Sequence, residues 1–300
     1  MATDPAAFLV GRESIVFPET GDGLTDRMVA AQRLDQKVIQ GRRFSHCTFA
    51  NVSFKEAQLT DSEFLDCAFI NCYLRKTRLL NCRFVGSKFY ACEFPKVSVQ
   101  SCDFRYAKFF ACAIPYDEME HNLPSEPNLR EELAAGLALA AEELGWSSEA
   151  RGYRLAAIAA REDHLAAAVR AVSTWYKEHY PPLRRLAACV QLVASKMNGL
   201  LWGYGERSGV LLRNLVLLAA VVFPALLWSV RSDLAVSGGG TATFGDLLWL
   251  SVTTIIPVGA INSVTALSSA GRGILTLEAF CGIVIAGLFV TLLFRSVVNR

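Results

Sequence analysis

From Phe44 onward every fifth residue of the chain is apolar: Phe49, Phe54, Leu59, Phe64, Phe69, Leu74, Leu79, Phe84, Phe89, Phe94, Val99, Phe104, Phe109 and Ile114 follow in unbroken order, and ten of these fifteen are Phe. At the chain's 52% apolar frequency, such a run would arise by chance roughly five times in 100,000 for a given start. Neither an α-helix nor a flat strand repeats every five residues, so the structural unit is a repeated turn. A second pattern runs beside the first. Two residues ahead of each apolar position the side chains are mostly small, and seven of the nine cysteines fall in this slot: Cys47, Cys67, Cys72, Cys82, Cys92, Cys102 and Cys112.

Together the large and small positions resemble the pentapeptide-repeat family over residues 42–116. The resemblance implies a right-handed, quadrilateral β-helix in which four pentapeptides complete one coil. A coil of twenty residues stacks Phe44, Phe64, Phe84 and Phe104 in one column and Phe49, Phe69, Phe89 and Phe109 in the next. The whole is a rod of about four coils, on the order of 18 Å long at the usual strand spacing. Buried in such a column, a reduced Cys behaves as a small hydrophobe. No CxxC pair with a zinc-like partner occurs, and neither a metal nor a cofactor is expected. Residues 42–116 hold eleven Lys or Arg and six Asp or Glu, which argues against imitation of DNA; nucleic acid is not an expected partner. A basic cluster at Arg75, Lys76, Arg78 and Arg83 could meet an acidic partner or lipid headgroups, or be a solvated face.

Residues 1–41 show no repeat and form a turn-rich lead-in, with a short helix expected near Thr25–Val38. The opening residues lack the basic region of a signal peptide, so the first 200 residues are expected to stay in the cytosol. The segment 117–209 changes to helical periodicity and Ala-rich composition, an α-helical connector. It carries no nucleophile, base and orienting group in a recognisable pattern, so no catalytic residues are assigned and no enzyme is expected. Its last helix, from Pro182, sets Leu183, Leu186, Val190, Val193, Met197 and Leu201 on a stripe. That stripe suits either the inner leaflet or the connector itself. Gly203, Tyr204 and Gly205 spell a tripeptide of potassium filters, but they precede the first apolar run and have no helix aimed at them. They read as a turn.

Residues 210–300 are of another character. Val210–Val230 and Gly273–Phe294 are each long enough to cross a hydrocarbon layer of about 30 Å. Lys196, Arg207 and Arg213 flank one end of the pair and Arg295 and Arg300 the other, which predicts a multi-pass protein of the inner or plasma membrane with both termini cytoplasmic. Between the spans, Thr243 with Asp246 three residues on predicts a capped helix over 244–254. At about 16 Å it is too short to cross. An apolar helix that enters a membrane and cannot cross must turn back, and its irregular return at 255–262 is tolerated only when buried in protein or lining a wet cavity.

Span, re-entrant helix, loop and span resemble the two-transmembrane potassium-channel-like family, on the residues FGDLLWLSVTT of the pore helix and Gly259 at the filter position. The resemblance implies a homotetramer around a central axis, a filter made by Thr254 and the following loop, and a bend of the second span near Gly282 and Gly287. It also implies pore-helix C-termini aimed at a cavity, whose negative dipole ends favour cations. Aligned on Gly259, however, the filter reads Pro257, Val258, Gly259, Ala260 and Ile261. Pro257 has no hydroxyl and a fixed φ, and Ile261 resists the positive φ a filter Gly adopts. Weak cation selectivity is therefore expected. Ile285 on a helical face with Cys281 and Phe289 is a candidate cavity lining, with Phe289 or Phe294 as a hydrophobic gate. Glu278, ionisable inside a span, reads first as a structural bond behind the filter and second as a permeation residue. The function expected is an oligomeric ion channel regulated or assembled by a cytosolic pentapeptide-repeat domain, its partners being further copies of itself, membrane lipid and permeant ions. The alternative is a membrane-anchored scaffold whose β-helix recruits a protein.

Overall fold

The computed structural model describes residues 5–9, 13–236, 241–256, 264–266 and 268–298. They fall into two compact units, one ending at Leu192 and one starting at Val193.

In the first unit, three-residue strands from Gly23–Thr25 to Lys108–Phe110 pair in parallel at an offset of twenty residues, as in Phe44 with Phe64, Phe49 with Phe69 and Leu59 with Leu79. Single bridges from Ser53 to Tyr73 and from Tyr73 to Glu93 make the fourth side. The result is a four-sided β-helix of about four turns. Its interior is filled by the period-five residues: Phe44, Phe64, Phe84 and Phe104 stack ring on ring at 4.8, 5.0 and 5.1 Å, close to the strand spacing itself. Phe49, Phe69, Phe89 and Phe109 do the same at 5.0, 4.7 and 4.7 Å.

Each corner requires one residue in the left-handed region, two places after the inward apolar one. Asn51 (φ 52°), Asp61 (50°), Asn71 (53°) and Asn81 (53°) are of types that tolerate this conformation better than most, but the repeat holds Ala31, Glu56, Lys76, Ala91, Lys96, Tyr106 and Ala111 in it as well. Stacked corners also bond to one another. Asn71 Nδ2 donates to Asn51 Oδ1 at 2.6 Å and Asn81 Nδ2 to Asp61 Oδ1 at 2.6 Å.

The small slot is more than a space-filler. Thr77 Oγ1 donates to the Phe54 carbonyl and Ser87 Oγ to the Phe64 carbonyl, each at 2.8 Å. The cysteines reach the equivalent carbonyl of the preceding turn, Cys72 to Phe49 and Cys82 to Leu59 at 3.3 Å, Cys92 to Phe69 at 3.4 Å. Burial pushes the Cys92 thiol well above its ordinary range, which keeps its S–H proton available as a weak donor.

The first turn of the β-helix lies upstream of residue 42. Leu24, Val29, Leu34 and Ile39 continue the inward columns, and strands Gly23–Thr25, Met28–Ala30 and Val38–Gln40 replace the short helix expected near Thr25–Val38. Val29 registers with Phe49 and Ile39 with Leu59. The slot positions of this turn, Arg27, Gln32 and Lys37, are large and polar. Two of them reach the segment that lies against this turn: Gln32 Nε2 donates to the Ile15 carbonyl at 2.6 Å while Gln32 Oε1 accepts the Phe17 N–H at 2.8 Å, and Lys37 pairs with Glu19 at 2.7 Å.

At the other end the chain covers its own last edge. Helix α1 (Tyr116–Met119) puts Met119, twenty residues after Val99, in fully buried register with the column above it. Glu118 Oε2 accepts the Val99 N–H at 3.0 Å, and Asn122 accepts the Cys102 N–H at 2.8 Å while donating to the Val99 carbonyl at 3.0 Å. Side chains thus satisfy backbone groups that a further turn would otherwise have taken. Helices α2 (Pro127–Glu143) and α3 (Ser147–Arg170) form a hairpin whose Leu133, Leu137, Ala138 and Tyr153 extend the core of the β-helix. The buried Tyr153 hydroxyl donates to the Ile114 carbonyl at 3.0 Å. A Cβ on Gly152 would fall 2.7 Å from the Tyr116 ring, so only glycine lets α3 approach there. Helix α4 (Thr174–His179) follows, then the long α5 (Pro182–Trp202), within which the boundary between the two units falls.

The second unit is helical. The turn Gly203–Gly205, with φ of 61°, 59° and 73°, separates α5 from α6 (Ser208–Leu217). A π-helical stretch, Leu218–Val222, then leads into α7 (Phe223–Ser229). It ends where Pro224, which has no N–H to donate, would otherwise interrupt the α-helical ladder. After α8 (Phe244–Ile255) comes α9 (Ser269–Val298), continuous through Gly282 and Gly287. Gly209–Ser229 and Ser269–Thr291 are long and apolar enough to cross a membrane by length and composition.

Candidate functional site

The segment between the two long apolar helices is a closed excursion. Strand Leu234–Val236 pairs antiparallel with strand Val264–Ala266, Val236 facing Val264, so the chain returns to the point from which it left. Inside the excursion sits α8. Thr243 is its N-cap: Thr243 Oγ1 accepts the Asp246 N–H at 3.3 Å, and Asp246 Oδ2 accepts the Thr243 N–H at 2.9 Å. The Thr243 hydroxyl, which also donates to this carboxylate, and the Thr243 N–H hold the Asp246 carboxyl below its ordinary range. An acidic first turn also suits the positive end of the helix dipole. At twelve residues α8 reaches only about 18 Å.

Three contacts fix α8 against its neighbours. Leu247 and Leu250 pack with Leu227 and Leu234, and Ile255 packs with Ala219 and Phe223. The third is polar: the Ser251 hydroxyl donates to Glu278 Oε1 of α9, with both residues fully buried. The other oxygen, Glu278 Oε2, has no hydrogen-bond partner among the described residues. The C-terminal end of α8 meets α9 at Gly282, where a Cβ would stand 2.1 Å from the Ile255 carbonyl oxygen.

Thr254 is half-buried, and its hydroxyl donates to the Leu250 carbonyl one turn back at 2.7 Å. Pro257, Val258, Gly259, Ala260 and Ile261 lie outside the described residues, as does the side chain of Phe294. Ile285 is half-buried on the stripe of α9 that also carries Glu278, Cys281 and Gly282, and this stripe faces the chain's own helices. Cys281, on the face expected to line a cavity, packs with Phe223 and Ile255. Phe289 is exposed, and the free face carries Leu277, Phe280, Ile283, Val284 and Val290. Gly287 has open space around it, whereas Gly282 is a packing position.

At the far end of α7, Trp228 lies edge-on to Phe244 at 6.4 Å and Arg231 stands over its ring at 4.3 Å. An aromatic ring with a cation beside it is an arrangement suited to a membrane interface. Sequence reasoning missed the strand pair that closes the excursion, the Ser251 partner of Glu278 and the role of Gly282. The signals were two β-branched residues, Val264 and Thr265, a serine inside an apolar helix, and a glycine four residues past an ionisable one.

Residues 42–118 match the family described as Pentapeptide repeat region. No curated protein matches the chain. Among solved structures, a pentapeptide repeat protein from the thylakoid lumen of Arabidopsis thaliana is similar at 16% identity, over 35% of this chain and 76% of that one, with a TM-score of 0.19. QnrB1, a plasmid-mediated fluoroquinolone resistance protein, is similar at 14% identity, over 31% of this chain and 56% of its own, with a TM-score of 0.17.

Proposed function

For a chain that carries a pentapeptide-repeat region over residues 42–118, we propose that copies assemble, as a tetramer, into a membrane pore that passes cations with weak selectivity. The observation that carries this reading is α8: a capped apolar helix too short to cross, inside an excursion whose two ends pair with each other, between two helices long enough to span. A plain anchor gains nothing from such an element, and irregular backbone at membrane depth is tolerated only inside protein or against a wet cavity. The C-terminal dipole end of α8 favours a cation in front of it. Pro257 and Ile261 in place of a hydroxyl and a glycine argue against a potassium filter. In this reading both termini are cytoplasmic, by the placement of Arg207, Arg213 and Arg295, and the β-helix regulates or assembles the pore.

The test is ion flux from purified full-length protein in liposomes, followed by reversal potentials. Cation flux with a low potassium-to-sodium preference agrees with the proposal, and a strong potassium preference contradicts the filter argument. A membrane that stays sealed under voltage and osmotic gradients removes the pore and leaves the second reading, a membrane-anchored scaffold. That reading is favoured by the β-helix itself, a rigid exposed surface with no catalytic constellation assigned to it.

A further inference from the structure

One carboxyl group of the second unit is enclosed without the partners that a charge needs. Glu278 of α9 is fully buried, as is Ser251 of α8 against it. The Ser251 hydroxyl donates to Glu278 Oε1, and Glu278 Oε2 has no hydrogen-bond partner among the described residues. The surroundings are apolar: Ile274 and Leu275 of the same helix join the cluster of Leu227, Leu247 and Leu250, and Cys281 packs with Phe223 and Ile255. One turn on from Glu278, Gly282 lies against the Ile255 carbonyl. The carboxyl group therefore sits one turn from the negative, C-terminal end of the α8 dipole.

No opposite charge answers it among the described residues. Of the elements packed against α9, α8 carries Asp246, which is held in its own cap, and α6 carries Arg213, bonded to Asn214 and the Leu200 carbonyl. The π-helical stretch, α7 and strand Val264–Ala266 carry no titratable side chain. On α9 itself the neighbours are Arg272, six residues earlier, and Cys281.

An ionised carboxylate in such a place is an uncompensated buried charge, far costlier than the neutral acid. A metal cation would answer that charge only with several oxygen ligands around it, and the described residues hold no group of acidic, His or Cys side chains that could supply them. A proton needs neither room nor further ligands. We infer that Glu278 is a proton-binding site, with the proton on Oε2 while α8 is seated against α9, and that its release to water unseats α8. The inference rests on the pore reading for its consequence: α8 is the helix whose end faces the conduction path, so losing the proton that seats it lowers ion flux.

The test uses full-length protein in liposomes and reads the site and the pore separately. Infrared difference spectra between the parent protein and Glu278→Gln are expected to show the carbonyl stretch of a neutral carboxylic acid, replaced by carboxylate bands as the medium is made alkaline. Ser251→Ala keeps the acid and removes the hydrogen bond to Oε1, so it should move that band to higher frequency; it assigns the band even where the glutamine variant does not fold. Carboxylate bands alone, from neutral medium onward, overturn the proposal. Flux through the parent protein is expected to fall by about fivefold or more from neutral to alkaline medium. Through Glu278→Gln, which has no acid to ionise, it should stay within about twofold. Parent flux that ignores pH, or a fall of equal size in Glu278→Gln, overturns the coupling to α8. An acid band in a protein that passes no ions supports the proton site and removes the pore reading.

Discussion

Gly282 of α9 faces the Ile255 carbonyl oxygen so closely that a Cβ would lie 2.1 Å from it, which makes this glycine the contact point between the end of α8 and the second long helix. Gly282→Ala is therefore expected to push the two helices apart or force a backbone shift, at a cost of about 1–3 kcal/mol. Gly287→Ala, in open space on the same helix, should be neutral or gain up to about 1 kcal/mol in helix propensity. Thermal unfolding of the two variants in detergent separates them; equal midpoints would show that the close approach contributes nothing.

Ser251→Ala removes the partner of a fully buried carboxyl group. The cost of leaving a buried polar group unpaired is about 1–3 kcal/mol or more, and Glu278→Gln, which keeps an acceptor oxygen for the Ser251 hydroxyl, should be milder than Glu278→Ala. A double-mutant cycle of Ser251→Ala with Glu278→Ala, read by chemical denaturation, is expected to show strong non-additivity. Additive losses would mean that the two residues act separately.

Asn122 joins three backbone groups at the open end of the β-helix, the Cys102 N–H and the Val99 and Glu118 carbonyls. Asn122→Ala leaves buried groups unsatisfied and is expected to cost about 2–4 kcal/mol. The loss should be local. Hydrogen exchange should speed up first in the turn from Val99 to Ile114 and leave the stacked rings around Phe64 protected. Uniform loss of protection would argue against a capping role.

Glu63 lies between Arg43 (2.6 Å) and Arg83 (2.7 Å) on the outside of neighbouring turns. Hydrogen bonding from Arg43, then from Arg83, with the attraction of both charges, holds its carboxyl below the ordinary 4.5 against the opposing effect of burial. A carboxyl whose folded pKa is depressed contributes stability above its unfolded pKa and loses it as pH falls through the folded value. The contribution should therefore be whole above about pH 4.5 and fade in more acidic solution. Because the ladder is solvent-facing its worth is under about 1 kcal/mol, so Glu63→Gln should lower stability by less than that above about pH 4.5 and converge with the parent protein in acid, which flattens the acid limb of the profile. A profile that differs between the two proteins only above pH 6 would contradict the assignment.

The β-helix was legible because its period is a geometric necessity: each inward ring sits on the ring twenty residues earlier. Legibility failed at the first turn, where the slots hold large polar residues such as Gln32 and Lys37, which bond to Ile15, Phe17 and Glu19 of the preceding segment. It also failed to give the hydrogen-bonding role of the cysteines, which shows only once Thr77, Ser87 and Cys92 are seen reaching equivalent carbonyls. In the second unit the start of α8 could be read from Thr243 and Asp246, since a cap is a local matter. The orientation of α9 could not, because a helix apolar on every side carries no pattern that distinguishes Ile285 from Val284. The Ser251–Glu278 bond joins residues 27 apart and required the fold. The filter residues Pro257 to Ile261 remain a reading of sequence alone.

The four-sided count has a consequence for how this chain can change in length. One added or deleted pentapeptide ahead of Ile114 would turn the exit of the chain by a quarter of a revolution about the rod. Met119 and Asn122 would then arrive over the wrong side, and the α2–α3 hairpin with them. Only steps of twenty residues restore the phase. The rod is thus an indexing device: its length can grow or shrink by whole revolutions, while the direction in which it hands the chain on stays constant.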